Sequence, residues 1–357
     1  MKIAVITDLH FGARDGNKAI EAHQRDFYEN VFFPYVVEHG IDQVWCLGDT
    51  FDRRKYVNFQ QLSAAHDFFF DRLNKLNLPS MFIIGNHDVY LKNTNEINSP
   101  RLLLQGLNDV VLIENECREV TIDNFSCILV PWINSSNAGK VMGQVEKTSA
   151  PYCFGHFEFS GFEFHQGQMC LTGHNTKPFD KFDHVFSGHF HKPATRGNIT
   201  YLGNPYQLNW AEYPDHKRFL VIDTEEVTFT HVNNPLRLYY KVNFQDGKTY
   251  DDWLKQEVND FEYVEGKYVR LQITGEKPNQ YEVERIVERI NSCNPYELKV
   301  IDDVVIGLIE NDDPEMEVED TYSVIRNYVS RMDGDFDVVR LEGLLLTLFK
   351  EAQEQQA

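Results

Sequence analysis

The chain has 357 residues, 42% of them hydrophobic and 13% aromatic, and carries a formal net charge of −21. That length accommodates two or three domains with a well-buried core in the largest, and the composition excludes a disordered or collagen-like chain. No apolar run approaches membrane-spanning length, and so acidic a balance argues against nucleic-acid binding through Lys and Arg alone.

The apolar run 3–6 reads as a short buried strand that ends at Asp8-Leu9-His10, and run 44–47 as a second that ends at Gly48-Asp49-Thr50-Phe51-Asp52-Arg53. Phe59, Leu62, His66, Phe69, Leu73 and Leu76 then repeat at helical spacing. Phe68 and Phe70 add apolar groups on other sides, so this helix is expected to bury a second face, together with the apolar run 101–104. Strand-like run 81–84 leads into Gly85-Asn86-His87-Asp88, run 152–154 into Gly155-His156, and run 184–186 into Gly188-His189-Phe190-His191. Runs 219–223 and 227–232 close this alternating region, and Asn233-Asn234-Pro235 marks an expected domain boundary. Beyond it, 267–274 alternates like a strand, 280–292 places Val283, Ile286, Val287 and Ile290 at helical spacing, and 297–301 looks extended. The acidic stretch 311–320 has too little apolar content to pack and reads as a linker. After it, Val324, Ile325, Tyr328 and Val329 form one apolar stripe, and Val338, Leu341, Leu344, Leu345 and Leu348 another.

Five of these segments place Asp, His or Asn at a strand end, where ligands collect in an open α/β sheet. Asp8 and His10, like His189 and His191, are two apart, and in extended chain such pairs point the same way. Carboxylate, imidazole and amide without cysteine suit Mn²⁺, Fe²⁺ or Zn²⁺, and are too nitrogen-rich for Ca²⁺ or Mg²⁺ alone. Two such ions about 3.5–4 Å apart clamp the attacking and leaving oxygens of an in-line displacement at phosphorus. Asp49, with two carboxylate oxygens, is the natural bridge between them. His174 competes with His156, since Thr172-Gly173-His174 is also a Gly-His pair, but only His156 directly follows an apolar run. The six cysteines (46, 117, 127, 153, 170 and 293) form no C-x-x-C pair and are expected to be buried, reduced thiols.

The order D-x-H, G-D-x-x-D, G-N-H-D, G-H, G-H-x-H, followed by Gly203-Asn204-Pro205, resembles the calcineurin-like metallophosphoesterases. Within them it looks most like the SbcD-type nuclease subunit of double-strand-break repair complexes, in its bacteriophage branch. The resemblance covers roughly the first 235 residues and implies an α/β fold, an α/β/β/α sandwich over 1–235. It further implies a small α+β capping domain over 236–310, the linker 311–320, and a helical partner-binding segment over 321–357. One metal would be held by Asp8, His10, Asp49 and His191, the other by Asp49, Asn86, His156 and His189. His87 would assist the leaving oxygen. Asp52 stands where some members carry His, so it is expected to orient His87 instead.

The resemblance also implies two divalent ions, Mn²⁺ before Mg²⁺, and 3′-to-5′ exonuclease action on duplex DNA with endonuclease action on single strands. It implies a coiled-coil ABC-type ATPase partner gripped through Val324, Tyr328, Val338, Leu341, Leu345 and Leu348. A homodimer through Leu62, His66, Phe69, Leu73 and Leu102, within a heterotetramer, completes the expectation. Arg53, Arg54, Lys55, Lys92, Lys192 and Arg196 flank the motifs and are the expected DNA contacts. With no charged-then-apolar leader ahead of run 3–6, the expected location is cytoplasmic. Two other readings stay open: a phosphomonoesterase or protein phosphatase on the same centre, and a scaffold with a vestigial site. Asp88 replaces the Glu usual in the phosphatase pattern, and the full ligand set argues against the scaffold.

Overall fold

The computed structural model describes residues 1–165, 168–245, 261–274 and 280–302. The expected linker 311–320 and the partner-binding positions Val324, Tyr328, Val338, Leu341, Leu345 and Leu348 lie outside them. Strands β1 (Lys2–Ile6), β2 (Gln43–Cys46), β3 (Ser80–Ile83) and β4 (Val110–Ile113) pair in parallel in that order. The chain then enters a second sheet with β5 (Arg118–Ile122), β6 (Phe125–Val130) and β7 (Tyr152–His156). A small hairpin, β8 (Glu163–His165) and β9 (Gln168–Met169), precedes β10 (His184–Gly188), β11 (Ala194–Arg196) and β12 (Ile199–Tyr201). The second sheet has the order β11-β12-β10-β7-β6-β5. β13 (Arg218–Asp223) and β14 (Thr228–Asn233) return to the first sheet as its antiparallel edge, giving β14-β13-β1-β2-β3-β4.

The two sheets face each other across Ile3, Val5, Trp45, Leu47, Phe154 and Phe186, all buried. The short apolar runs of the sequence are explained by this layering, since strands covered on both faces need no alternation. Outside the first sheet lie the helices α1 (Lys18–Phe27), α2 (Phe33–Glu38), α3 (Phe59–Ala65) and α4 (Asp71–Lys75). A π-helical turn joins each pair, α1 to α2 and α3 to α4. Phe68, Phe69 and Phe70 sit in the second of these turns, where wider winding sends all three rings into one aromatic core with Phe11, Tyr28 and Phe32. The outer face of the second sheet is covered by α5 (Ala138–Lys147) and by Phe179 and Phe182. The fold is therefore the expected α/β/β/α sandwich.

That core corrects one expectation. Phe69 and Leu73 are buried within the chain and are not available to a second copy, while Leu62 and His66 are partly exposed and Leu102 is open to solvent. The second buried face anticipated for this helix is the protein's own core. Past residue 235, β15 (Tyr239–Gln245), β16 (Tyr268–Thr274) and β17 (Glu297–Asp302) make a parallel three-stranded sheet with α6 (Gln280–Asn291). Its own apolar cluster includes Phe244, Leu271, Ile286 and Ile290. Leu238, Tyr239 and Tyr268 join the main helical core instead, and Asn17 Nδ2 donates to the Tyr268 hydroxyl at 2.7 Å.

His23, on α1, is buried with neither ring nitrogen hydrogen-bonded among the described residues. Burial, aided by the Lys267 charge and opposed by Glu212, pushes its pKa from 6.5 down to about 3. The unfolded chain still takes up that proton near the ordinary value, so between these limits the unfolded state binds more protons and stability falls as pH falls. Relative to pH 7, this one group should cost roughly 2 kcal/mol by pH 5. Urea melts of His23→Leu at pH 7 and pH 5 should show that much less acid destabilisation than wild type; equal losses in both would remove His23 as the cause.

Candidate metal centre

The first two ligand loops are zipped together by their backbones. Asp8 N donates to Gly48 O, His10 N to Asp49 O and Phe11 N to Thr50 O, each at 3.0 Å. The third and second loops are joined by Asp88, whose buried carboxylate accepts from the backbone N–H groups of Gly85, Asp49 and Thr50, each at 2.9 Å. Asp49 Oδ1 returns the link by accepting from His87 N at 2.8 Å. On the second sheet β7 and β10 run in parallel with Gly188 opposite His156. Asp8 closes the circle, accepting from the backbone of His189 at 3.0 Å.

The side chains meet in two adjoining sets. His156 Nε2 lies 3.2 Å from Asp49 Oδ2 and 2.9 Å from Asn86 Oδ1, and His189 Nδ1 lies 2.9 Å from the same Asn86 oxygen. In the other set His10 Nε2 and His191 Nε2 face each other at 3.0 Å, with Asp8 Oδ1 4.0 Å from His191 and Asp49 Oδ2 3.7 Å from His10. Asp49 belongs to both. Asp8, His10 and His191 group closely enough to hold an ion, as do Asp49, His156 and His189, and as do His10, Asp49 and His87. His174 stands outside every such cluster among the described residues.

The far side of each ring decides what the near side can do. His156 Nδ1 is 2.8 Å from Leu47 O, so it carries the proton and donates, leaving Nε2 as a bare lone pair. His191 Nδ1 donates to Glu212 Oε1 at 2.9 Å, and His10 Nδ1 faces Asp52 Oδ1 at 3.2 Å. Lone pairs of nitrogen and oxygen are thus turned on one another at contact distance, an arrangement that repels unless a cation sits among them. The Asn86 amide nitrogen is buried without a hydrogen-bond partner among the described residues, so this side chain is turned for its oxygen. A donor set of this kind, with His156 backed by a carbonyl, His191 by a carboxylate and His10 facing another, fits a divalent ion.

Charge follows the same pattern. Burial alone would raise the Asp49 carboxyl, but the imidazoles of His156, His87 and His10 hold it well below the ordinary carboxylate range. Burial would lower the His156 imidazole, and Asp49 and Asp8 outweigh it, lifting its pKa to about 9. Protons and metal ions therefore compete for one place. Asp88, which no imidazole touches by hydrogen bond, is pushed up to about 6 by burial and by the neighbouring Asp49 charge.

Asp52 does not act as expected. Its carboxylate faces His10, and it is its backbone carbonyl that accepts from His87 Nδ1, at 2.6 Å. The i, i+2 argument for the ligand pairs also fails, because Asp8, His10, Asp49 and His189 have φ of 54°, 44°, 55° and 88°. Left-handed turns, not extended chain, aim these side chains. Two expected DNA contacts are occupied within the chain: Lys192 pairs with Glu163 at 2.6 Å, and Arg196 donates to Gly161 O at 2.8 Å. Arg53 pairs with Asp15, while Arg54 is partly exposed and Lys55 and Lys92 are exposed.

Sequence reasoning missed Glu212. It sits in a one-turn 3₁₀ helix, buried, and is held from the other side by Lys217 at 2.9 Å and Asn204 at 3.0 Å. Burial would raise its carboxyl, yet Lys217 and His191 hold it far below the usual range. Asn204, in the Gly203-Asn204-Pro205 segment, was the only hint of this network in the sequence. Trp132 was also unforeseen; its ring centroid lies 5.9 Å from that of His156 and 5.4 Å from that of His189.

A family model for calcineurin-like phosphoesterases matches residues 1–193. The chain is 25% identical over 335 residues to exonuclease subunit 1 of Enterobacteria phage T4, covering 92% of each protein. Among solved structures it is similar to an archaeal phosphodiesterase (12% identity, TM-score 0.34, 66% of this chain and 100% of that one). It is also similar to the nuclease MPE of Pseudomonas putida (16% identity, TM-score 0.30, 64% of this chain and 87% of that one).

Replacing Glu212 with Gln removes the charge that backs His191. Titration calorimetry with Mn²⁺ should then show binding on the His10–His191 side weakened about 10–100-fold, with the Asn86–His156–His189 side little changed. Wild-type binding in both steps would deny Glu212 this positioning role.

Proposed function

Since the chain belongs to the calcineurin-like phosphoesterase family, we propose that this metal-dependent phosphodiester hydrolase is a DNA nuclease working on two divalent ions, Mn²⁺ first among them. The observation that carries the two-ion reading is the pair of lone-pair clusters sharing Asp49. The DNA substrate is supported by the likeness to a phage exonuclease subunit along nearly the whole chain. When bound, such ions draw charge from the phosphoryl oxygens and activate water at neutral pH.

Asp8, His10, Asp49 and His191 would hold one ion, and Asp49, Asn86, His156 and His189 the other. Asp52 and Glu212 hold His10 and His191 in the tautomer that leaves Nε2 bare. His87 has its Nδ1 proton fixed on the Asp52 carbonyl, so Nε2 is the ring nitrogen that would carry a proton to the leaving oxygen. Its backbone N–H on Asp49 Oδ1 ties that ring to the shared carboxylate.

In this reading residues 236–310 cap the entrance to the site, and the segment 321–357 engages a coiled-coil ATPase that controls access. Leu62, His66 and Leu102 remain as a surface for a second copy. Exonuclease action on duplex ends and endonuclease action on single strands, in the cytoplasm of the cell, complete the proposal. Among the described residues no helix is long and apolar enough to cross a membrane.

Protein stripped with chelator and given Mn²⁺ should hydrolyse labelled duplex DNA and a chromogenic phosphodiester, and lose both activities when the chelator returns. Turnover of a monoester alone would replace the nuclease with a phosphatase. In His87→Ala, elemental analysis should still find two ions while cleavage falls about 10²–10⁴-fold, the range for losing a positioned proton donor. Loss of an ion in that variant would make His87 a ligand instead.

A further inference from the structure

The geometry points to Trp132 as a substrate-contacting residue: its indole ring is a stacking platform for the nucleobase beside the scissile phosphate, an inference that rests on the nuclease reading above. The ring borders the Asn86–His156–His189 side of the centre, tilted 43° to His189 and close to edge-on to His156. It is only partly exposed, yet its indole N–H finds no hydrogen-bond partner among the described residues and is not sealed from solvent. A tryptophan buried for packing alone normally satisfies that donor.

The position of Trp132 is built with unusual care. Its backbone N–H donates to Ile84 O at 2.8 Å, at the end of the strand that leads into the Asn86 loop. Its carbonyl accepts from both Asn95 Nδ2 and Asn137 Nδ2, each at 2.9 Å. Asn134 closes the circuit, donating to Asn95 Oδ1 at 2.7 Å and accepting nothing from the ring itself. Three buried asparagines thus fix one backbone unit, and what that unit carries towards the centre is an aromatic face.

Among the described residues, two cations on this side are already engaged. Lys192 and Arg196 are engaged by Glu163 and Gly161, and Glu158 lies 4.0 Å from His189 Nε2. Stacking needs no counter-charge and tolerates any base, since every base has a π-face. It is the contact an acidic nuclease can make without adding cations.

The test uses single-stranded oligonucleotides with Mn²⁺, intact or with one base removed on either side of the bond that is cut. Wild type should lose about tenfold in kcat/KM, mainly through KM, when one of those two bases is missing. Trp132→Ala should lose the same factor on intact DNA and then cut intact and abasic strands equally. Trp132→Phe, which keeps a ring, should stay within about threefold of wild type, and Mn²⁺ affinity should be unchanged in both. With chelator present, an oligonucleotide should quench the fluorescence of wild type more than that of Trp132→Phe. The proposal is overturned if Trp132→Ala remains sensitive to the missing base, if Trp132→Phe is as impaired as Trp132→Ala, or if either variant loses Mn²⁺. Equal cutting of intact and abasic strands by wild type would overturn stacking alone, whereas wild type that cuts no DNA would overturn the nuclease reading and stacking with it.

Discussion

Lone pairs turned against one another set the terms for everything around the centre. Burying an unpaired carboxylate costs several kcal/mol or more, and here Asp8 and Asp49 are buried beside imidazole nitrogens that present no proton to them in the neutral tautomer. Left alone, such a cluster would fly apart or fill with protons. The fold opposes the first by contacts behind four of the ligands: Leu47 O on His156, Glu212 on His191, Asp52 facing His10, and the His189 backbone on Asp8. Prevention of the second falls to divalent ions, which compete with the proton that His156 holds because Asp49 and Asp8 outweigh burial and lift its pKa to about 9.

Backbone conformation is bent to the same end. Non-glycine residues in the left-handed region cost about 1–2 kcal/mol each, and Asp8, His10, Asp49 and His189 all adopt it. That strain is tolerated because hydrogen bonds over-determine the loops, with Asp88 alone gathering three backbone N–H groups from two of them. Gly48, at φ 114°, goes further: a Cβ there would stand 2.5 Å from His156 Nδ1 and push the ring off its carbonyl. The glycine that ends the second strand is thus a requirement of a histidine more than a hundred residues away.

Much of this was legible in the sequence because strands in a covered sheet must be apolar and their ends must turn. The five ligand segments, the strand before each, and the small α+β unit past residue 235 could be read from local pattern. What could not be read was aim. The i, i+2 rule gave the right pairs for the wrong reason, since only left-handed φ values bring Asp8 and His10 together. Asp52 and Glu212 show the limit from another side, because a partner behind an imidazole has no fixed spacing from it; Glu212 arrives from a single 3₁₀ turn. Phe69 and Leu73 failed as surface residues because a π-helical turn rotates three successive phenylalanines inward, and periodicity counted at 3.6 residues per turn cannot anticipate it.

A charge of −21 and a substrate made of phosphates look incompatible only if side chains must supply the attraction. Here half of the cations that flank the motifs are engaged inside the chain, Arg53 on Asp15, Lys192 on Glu163 and Arg196 on a carbonyl, while Arg54, Lys55 and Lys92 are partly or fully exposed. On the two-ion reading, the strongest positive charge would stand where the ligand clusters select it, at the bond to be broken. A site arranged this way would stabilise charge that develops during hydrolysis more than it holds the phosphodiester beforehand, which is the division that favours turnover over tight binding. If the substrate is a nucleic-acid strand, hold on it would come from contacts indifferent to charge, of which the proposed indole platform beside His189 is one.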